Sequence, residues 1–410
     1  MSIERRALLG GAAGASLLPL LGARAQAAQT IRIGVLGDFS GPYRHLSGPT
    51  NVACVQQAVQ DSGLLDRGFR IEVIQADHQQ RPDVGLQIAR DWFDRGNVDV
   101  VTEVNNSAIA LALNGLVRER DKIHLNTGAA TSELTGRQCS PNTIQWTYDT
   151  WMLARSSGVA TVRAGARSFY TIAADMAFGH QMERDLTRFV QEGGGRVVGG
   201  VRHPFPGTTD FSSFMLQAQA SRANVVAFLN AGADLINCIK QAGEFGLARR
   251  GQKLLAIVGF VNDVHTLGLP TAQGLIITEC FYWDHNDRTR AFTRRVLPRT
   301  PDNYPNQAQA GVYSAVTHYL KAVAELGVPA AKASGRAVVE VMKRMPTDDD
   351  AFGQGRVRED GRKIHDVHLW EVKAPGESRG PWDYYRHLAT TPAEEAFRPV
   401  AEGGCPFVRT

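Results

Sequence analysis

The chain has 410 residues, 43% of them hydrophobic and 21% charged, with a formal net charge of +4. This is a globular composition with room for two or more cores at roughly 100–200 residues per domain, and it excludes a disordered chain. Removing Met1–Ala27, which holds Arg5, Arg6, Arg24 and Glu4, leaves +2, too small an excess to advertise nucleic acid as a partner.

Those first residues join Arg5-Arg6 to an apolar run, Ala7–Leu21, and to the small-residue pattern Ala25-Gln26-Ala27. The pattern is that of a cleavable export signal, too short for a stable membrane span. It leaves both the Sec and the twin-arginine routes open, because Glu4 and Leu8 depart from the twin-arginine pattern. No later segment approaches ~18 uninterrupted apolar residues, so the mature protein is expected free in the periplasm, without a membrane span and as a monomer.

From Ile31 strands and helices alternate. Ile31–Gly37 predicts a strand, and Val52, Val55 and Val59 mark a helix that runs to Ser62. Phe69–Asp77 predicts a strand, Ile88, Ala89, Trp92 and Phe93 an amphipathic helix, Val98–Val104 a strand, Ile109–Val117 a helix and Lys122–Asn126 a strand. After Trp151 a second series begins: strands at Ser168–Ala174, Arg196–Arg202, Asn224–Asn230 and Lys253–Val258, separated by helices at Met182–Gln191, Phe211–Ala220 and Ile236–Phe245. Such alternation implies parallel sheets covered on both faces, here two doubly wound α/β lobes. Ala308–Leu326 and Val339–Met345 predict further helices, and Gly353–Val372 a hairpin that could complete either sheet.

Five cysteines in an exported chain raise the question of a disulfide. Cys139 and Cys405 lie in Pro-bearing loops and are expected to pair, whereas Cys54, Cys238 and Cys280 fall within periodic segments, where a buried thiol is the default. No cysteine spacing suits a metal, and no metal or cofactor is expected. No nucleophile elbow, zinc-protease helix or phosphate loop occurs. Gly193–Gly199 reads as a turn, Asp348–Asp350 as a solvated turn, and His365 and His368 as surface residues. Asp77-His78, at a strand end, could form an acid/base pair.

The stretch Thr127-Gly-Ala-Ala-Thr-Ser-Glu-Leu-Thr135 follows a strand with small and hydroxyl residues. Thr131 or Ser132 could cap a helix; alternatively, an anion could dock on free amides there.

Ile33-Gly-Val-Leu-Gly-Asp-Phe-Ser-Gly41 with Ser47-Gly-Pro49, Asn106-Ser-Ala108 and the Thr127–Thr135 stretch resemble, in order and spacing, the periplasmic solute-binding proteins of the leucine/isoleucine/valine type. Ala173–Gly179, Thr209–Ser213, Gln241–Gly246 and Ala310–Tyr313 continue the likeness, which runs from about Ile31 to Val372. The resemblance implies two lobes joined by three crossover strands. Lobe one would comprise 30–147 and 281–345, lobe two 148–280 and 346–372, with 373–410 packing back on lobe one. It also implies capture, without catalysis, of a small carboxylate ligand in the cleft and delivery to a membrane ABC permease. A ligand-sensing module for a receptor, or an enzyme acting on small acids, are the alternatives.

By the same resemblance Ser107, Ala129, Ala130 and Thr131 would hold the ligand's carboxylate. Phe178 and Leu46 would stand where the family places aromatic residues, and Tyr148 would either bond the ligand or pack at the hinge. Asn230 would face the cleft or form a turn. The acidic residue that pairs with a ligand ammonium is replaced by Val261, with Asp263 two places on; if Asp263 cannot reach, the ligand lacks an α-amino group.

Overall fold

The computed structural model describes residues 29–408, so the export signal expected at 1–27 lies outside the described residues. Thr30–Gly37 (β1), Arg70–Asp77 (β2), Val100–Glu103 (β3), Ile123–Asn126 (β4) and Thr143–Gln145 (β5) form a parallel sheet in the order β2-β1-β3-β4-β5. Strands β1, β3, β4 and β5 are buried on both faces, as a sheet covered by helices requires, while the edge strand β2 alternates polar and apolar residues. Ile33, Val35 and Leu125 pack on one side with the helix Gln307–Leu326, and Leu36, Val101 and Val104 on the other with Ser107–Glu119.

The second sheet has seven strands: Ser168–Ala174 (β6), Arg196–His203 (β7), Val225–Leu229 (β8), Lys253–Ala256 (β9), Ile276–Glu279 (β10), Val367–Val372 (β14) and Tyr385–Thr391 (β15). β7-β6-β8-β9-β10 are parallel, and β14 and β15 add to the β10 edge antiparallel. Both sheets therefore reverse direction at one point, between β1 and β3 in the first lobe and between β6 and β8 in the second. Open α/β sheets bind ligands at the carboxyl ends of the strands flanking such a point.

The Gly353–Val372 hairpin is divided. Gly353–Val357 (β12) pairs with Thr347–Asp349 (β11) and with Lys363–Ile364 (β13), while β14 enters the second sheet. Ala351 and Val357 bury against Val338 and Met342 in the first lobe's core, so the start of 346–372, expected in lobe two, packs on lobe one. The tail divides too: β15 is the outer edge of the second sheet, and only afterwards does Cys405 return to Cys139, to which it is disulfide-bonded. Cys54, Cys238 and Cys280 are buried free thiols.

Three residues expected at the surface are instead buried against polar partners. Asp349 is buried, accepting from Ala351 N–H, Phe352 N–H and the Ser314 hydroxyl. His365 is buried against the Thr147 carbonyl (2.9 Å) and His368 against Thr390 (3.0 Å). Beside them Arg362, fully buried, donates to the carbonyls of Gln145 and Thr147 and lies 4.0 Å over the Phe397 ring, fixing where the chain crosses between lobes.

Candidate ligand-binding site

Between the lobes lies a cleft lined from both, with about 480 Å³ of empty space, open solvent at its mouth included. Its walls come from the carboxyl ends of the strands beside both reversal points. Tyr43 and Leu46 follow β1, Asn105 and Ser107 follow β3, Met176 and Phe178 follow β6, and Ala231 follows β8. Four helices of ten residues or more begin at its rim: Ser107–Glu119, Ala177–Glu192, Gly232–Glu244 and Gln307–Leu326. Asn106 and Asn306 cap the first and last of these, whereas the starts at Ala177 and Gly232 have no side-chain cap. Positive dipole ends thus converge from both lobes, and the uncapped starts bring amides that need an acceptor.

Two walls are apolar. Tyr148 meets Phe260 edge-on at 6.0 Å, Phe178 and Val258 complete one side, and Tyr43 closes the mouth by stacking on Phe205 at 5.6 Å. The lobes also touch where Ala233 N–H meets the Pro42 carbonyl (3.4 Å) and His45 meets Asp263 (2.9 Å). The third wall is polar. Three buried side-chain atoms on it have no hydrogen-bond partner: Ser107 Oγ, Asn105 Nδ2 and Glu103 Oε1. Buried polar atoms normally find partners, so three orphans on one cleft wall mark where a guest's polar atoms belong.

Glu103 ends β3 with a left-handed backbone (φ 82°), followed by Val104 (φ 57°). Such strain in bulky residues concentrates at ligand sites. Its Oε2 accepts from Asn105 N–H (3.0 Å), and complete burial with the Asp38 carboxylate nearby pushes its acid up to about 8. Asn105 keeps its Oδ1 for His78 (2.7 Å) and Gln80 (3.3 Å), which leaves the amide NH₂ as its unpaired group on this wall. His78 is therefore a buried orienting group. Desolvation holds its imidazole below the usual range, in place of the acid/base pair considered with Asp77.

Of the residues expected at the site, the cleft brings together Ser107, Ala130, Tyr148, Phe178 and Leu46. Tyr148 faces the cleft with its ring while its hydroxyl donates to the Gly128 carbonyl (2.8 Å), pinning the loop after β4. Four residues lie off the lining. Ala129 packs in the first lobe's core. Thr131 caps the short turn Ser132–Thr135, accepting from Glu133 N–H at 3.3 Å, as the capping alternative held. Asn230 turns into the second sheet toward His203 (3.1 Å) and the Cys238 thiol (3.3 Å). Asp263 is committed to Phe260 N–H (3.0 Å) and His45, so no free carboxylate waits there for an ammonium, and Val261 is core.

Sequence reasoning passed over Glu103, Asn105, Tyr43 and Phe260. The signal for Glu103 was present: a lone acid ending the apolar run Val100-Val-Thr, directly before Asn105-Asn-Ser107.

A sequence profile for the periplasmic binding protein family matches residues 30–379. The chain resembles a Leu/Ile/Val-binding protein homolog 6 of Brucella melitensis, with 25% identity over 65% of this chain and 68% of the relative. Among solved structures, a periplasmic binding protein of Burkholderia mallei superposes with a TM-score of 0.88 at 41% identity, covering 93% of this chain and all of the other. A branched chain amino acid ABC transporter periplasmic ligand-binding protein of Burkholderia xenovorans gives 0.82 at 37% identity, covering 92% and 99%.

Proposed function

This chain belongs to the periplasmic binding proteins of ABC transporters, and on that premise we propose that it captures a small monocarboxylate with an apolar or aromatic body in the interlobe cleft. It then delivers this ligand, as a monomer and without chemistry, to a membrane permease. The observation that carries the ligand class is the polar wall: Ser107, Asn105 and Glu103 offer unpartnered atoms to one guest, while Tyr148, Phe178 and Phe260 enclose its body. Burial of that body supplies affinity at about 25 cal/mol per Å². Desolvated hydrogen bonds to the carboxylate add direction.

An α-amino group has no ready partner, because Asp263 is occupied and burial keeps Glu103 protonated at neutral pH. A buried unpaired ammonium costs several kcal/mol. A second reading, an α-amino acid whose ammonium ionises Glu103, is favoured by likeness to the branched-chain transporter protein. A thermal-shift panel separates the two, since a ligand bound only by the native state raises Tm. Benzoate and 4-methylpentanoate raise it and leucine does not if the first reading holds. Leucine alone raising it gives the second, and no response to any small carboxylate overturns both.

A further inference from the structure

We propose that Glu103 is the specificity-determining acid of the cleft: it binds the ligand carboxylate through its own proton, so that capture requires a neutral Glu103 and rejects ligands bearing an ammonium. This rests on the carboxylate reading above and deepens it.

The geometry sets the requirement. Glu103 Oε1 lies 2.5 Å from where a Cβ on Gly128 would sit, so it occupies the seat left open by the glycine of the loop after β4. Its neighbours on that wall, the Ser107 hydroxyl and the Asn105 NH₂, are both able to donate. An ionised Glu103 would set a second carboxylate against the guest in a water-poor pocket, where like charges repel strongly. A protonated one completes a set of three donors for one carboxylate. Its ability to stay protonated is built in. Glu103 is fully buried, and that desolvation outweighs the opposing bonds its carboxylate accepts, the one from Asn105 N–H among them.

Of the titratable groups around it, Asp38 pushes in the same direction and the other two stay neutral. From the loop after β1 comes the Asp38 carboxylate, itself held by the amides of Gly41 and Tyr43 and by Gln80. Behind Asn105 stands His78, kept neutral by burial. On the Gly128 side Tyr148, with its hydroxyl pushed well up by burial and bonded to the Gly128 carbonyl, stays neutral as well. The uncharged Ser47 hydroxyl and Asn51 amide complete the surround, and the bonds they give the carboxylate pull the other way, by less than burial pushes.

The free site titrates at about 8, so affinity for a carboxylate is full at pH 6.5 and falls about tenfold per unit above 8. Isothermal titration of the mature protein with benzoate and with 4-methylpentanoate tests this. Kd should weaken about thirtyfold from pH 6.5 to 9.5, and at pH 8 binding should take up about half a proton, read from two buffers of different ionisation enthalpy. Glu103→Gln, which keeps a donor without a proton to lose, should bind within about tenfold of the parent at pH 6.5 and show no pH dependence. A pH-independent wild type without proton uptake overturns the proposal and leaves the carboxylate reading standing, as does a Glu103→Gln variant that keeps the pH dependence. Leucine binding that Glu103→Gln abolishes also overturns it, making Glu103 an ammonium partner. If neither acid binds at any pH, the carboxylate reading itself falls and the proposal with it.

Discussion

Replacing Glu103 with glutamine should stabilise the unliganded protein, and the gain should grow with pH. The folded-state acid is raised from its ordinary 4.5 to about 8 by burial. The native state therefore keeps a proton that the unfolded chain releases. The stability this contributes is fully present below 4.5 and is lost progressively as pH rises through about 8, above which both states are ionised. That interval, at 1.36 kcal/mol per unit, corresponds to a loss of about 4–5 kcal/mol. Glutamine carries no such liability, and its carbonyl can still accept from Asn105 N–H. Urea unfolding of parent and variant, each from pH 5 to pH 8.5, reads the difference. Other raised acids, including Asp234 at about 7, move both curves alike, so the gap between them isolates Glu103. The gap should be about 1 kcal/mol or less at pH 5 and several kcal/mol at pH 8.5. A gap that stays flat across this range refutes a buried, proton-retaining Glu103.

Ser107→Ala removes a hydroxyl that has no partner in the unliganded site, so melting should be unchanged while Kd for a bound carboxylate weakens by ~10-fold or more, the worth of a hydrogen bond to a charged group; fluorescence titration reads it. Gly128→Ala would place its methyl 2.5 Å from Glu103 Oε1 and within 3 Å of Asn105, and titration should find binding lost while circular dichroism finds the fold kept. Asp263→Asn should weaken amino acids and plain acids alike, because the carboxylate serves the His45 contact between lobes and the Phe260 amide; selective loss of amino-acid binding would return Asp263 to the ligand. Reducing the Cys139–Cys405 bond, which spans 266 residues of sequence, should lower stability by up to about 5 kcal/mol on loop-entropy grounds, measured by unfolding with and without reductant.

The alternation of strands and helices was legible because each lobe's sheet is buried on both faces and writes itself as short apolar runs. The strands of the second lobe up to Lys253 lie within a residue or two of their expected ends. Short or polar strands were not legible. Thr143–Gln145 has three residues, and the exposed edge strand Tyr385–Thr391 shows no alternation. The hairpin misled because its two halves answer to different cores, a matter of tertiary contact that a local pattern does not encode. At the site the family resemblance pointed to Ser107, Ala130, Phe178, Tyr148 and Leu46, and each lines the cleft where a strand gives way to a helix, a loop or the hinge crossing. It could not tell Ala130 from its neighbours Ala129 and Thr131, because which atoms of a turn face outward depends on backbone angles. Glu103 went unread because an acid ending an apolar strand looks like a solvated terminus until burial is known.

The most direct test of the account is a crystal structure of the protein with benzoate. The account places the carboxylate within hydrogen-bond distance of Ser107 Oγ, Asn105 Nδ2 and Glu103 Oε1, with the ring between Tyr148, Phe178 and Phe260. A carboxylate pointing away from that wall, or a ring seated outside the interlobe cleft, would contradict it.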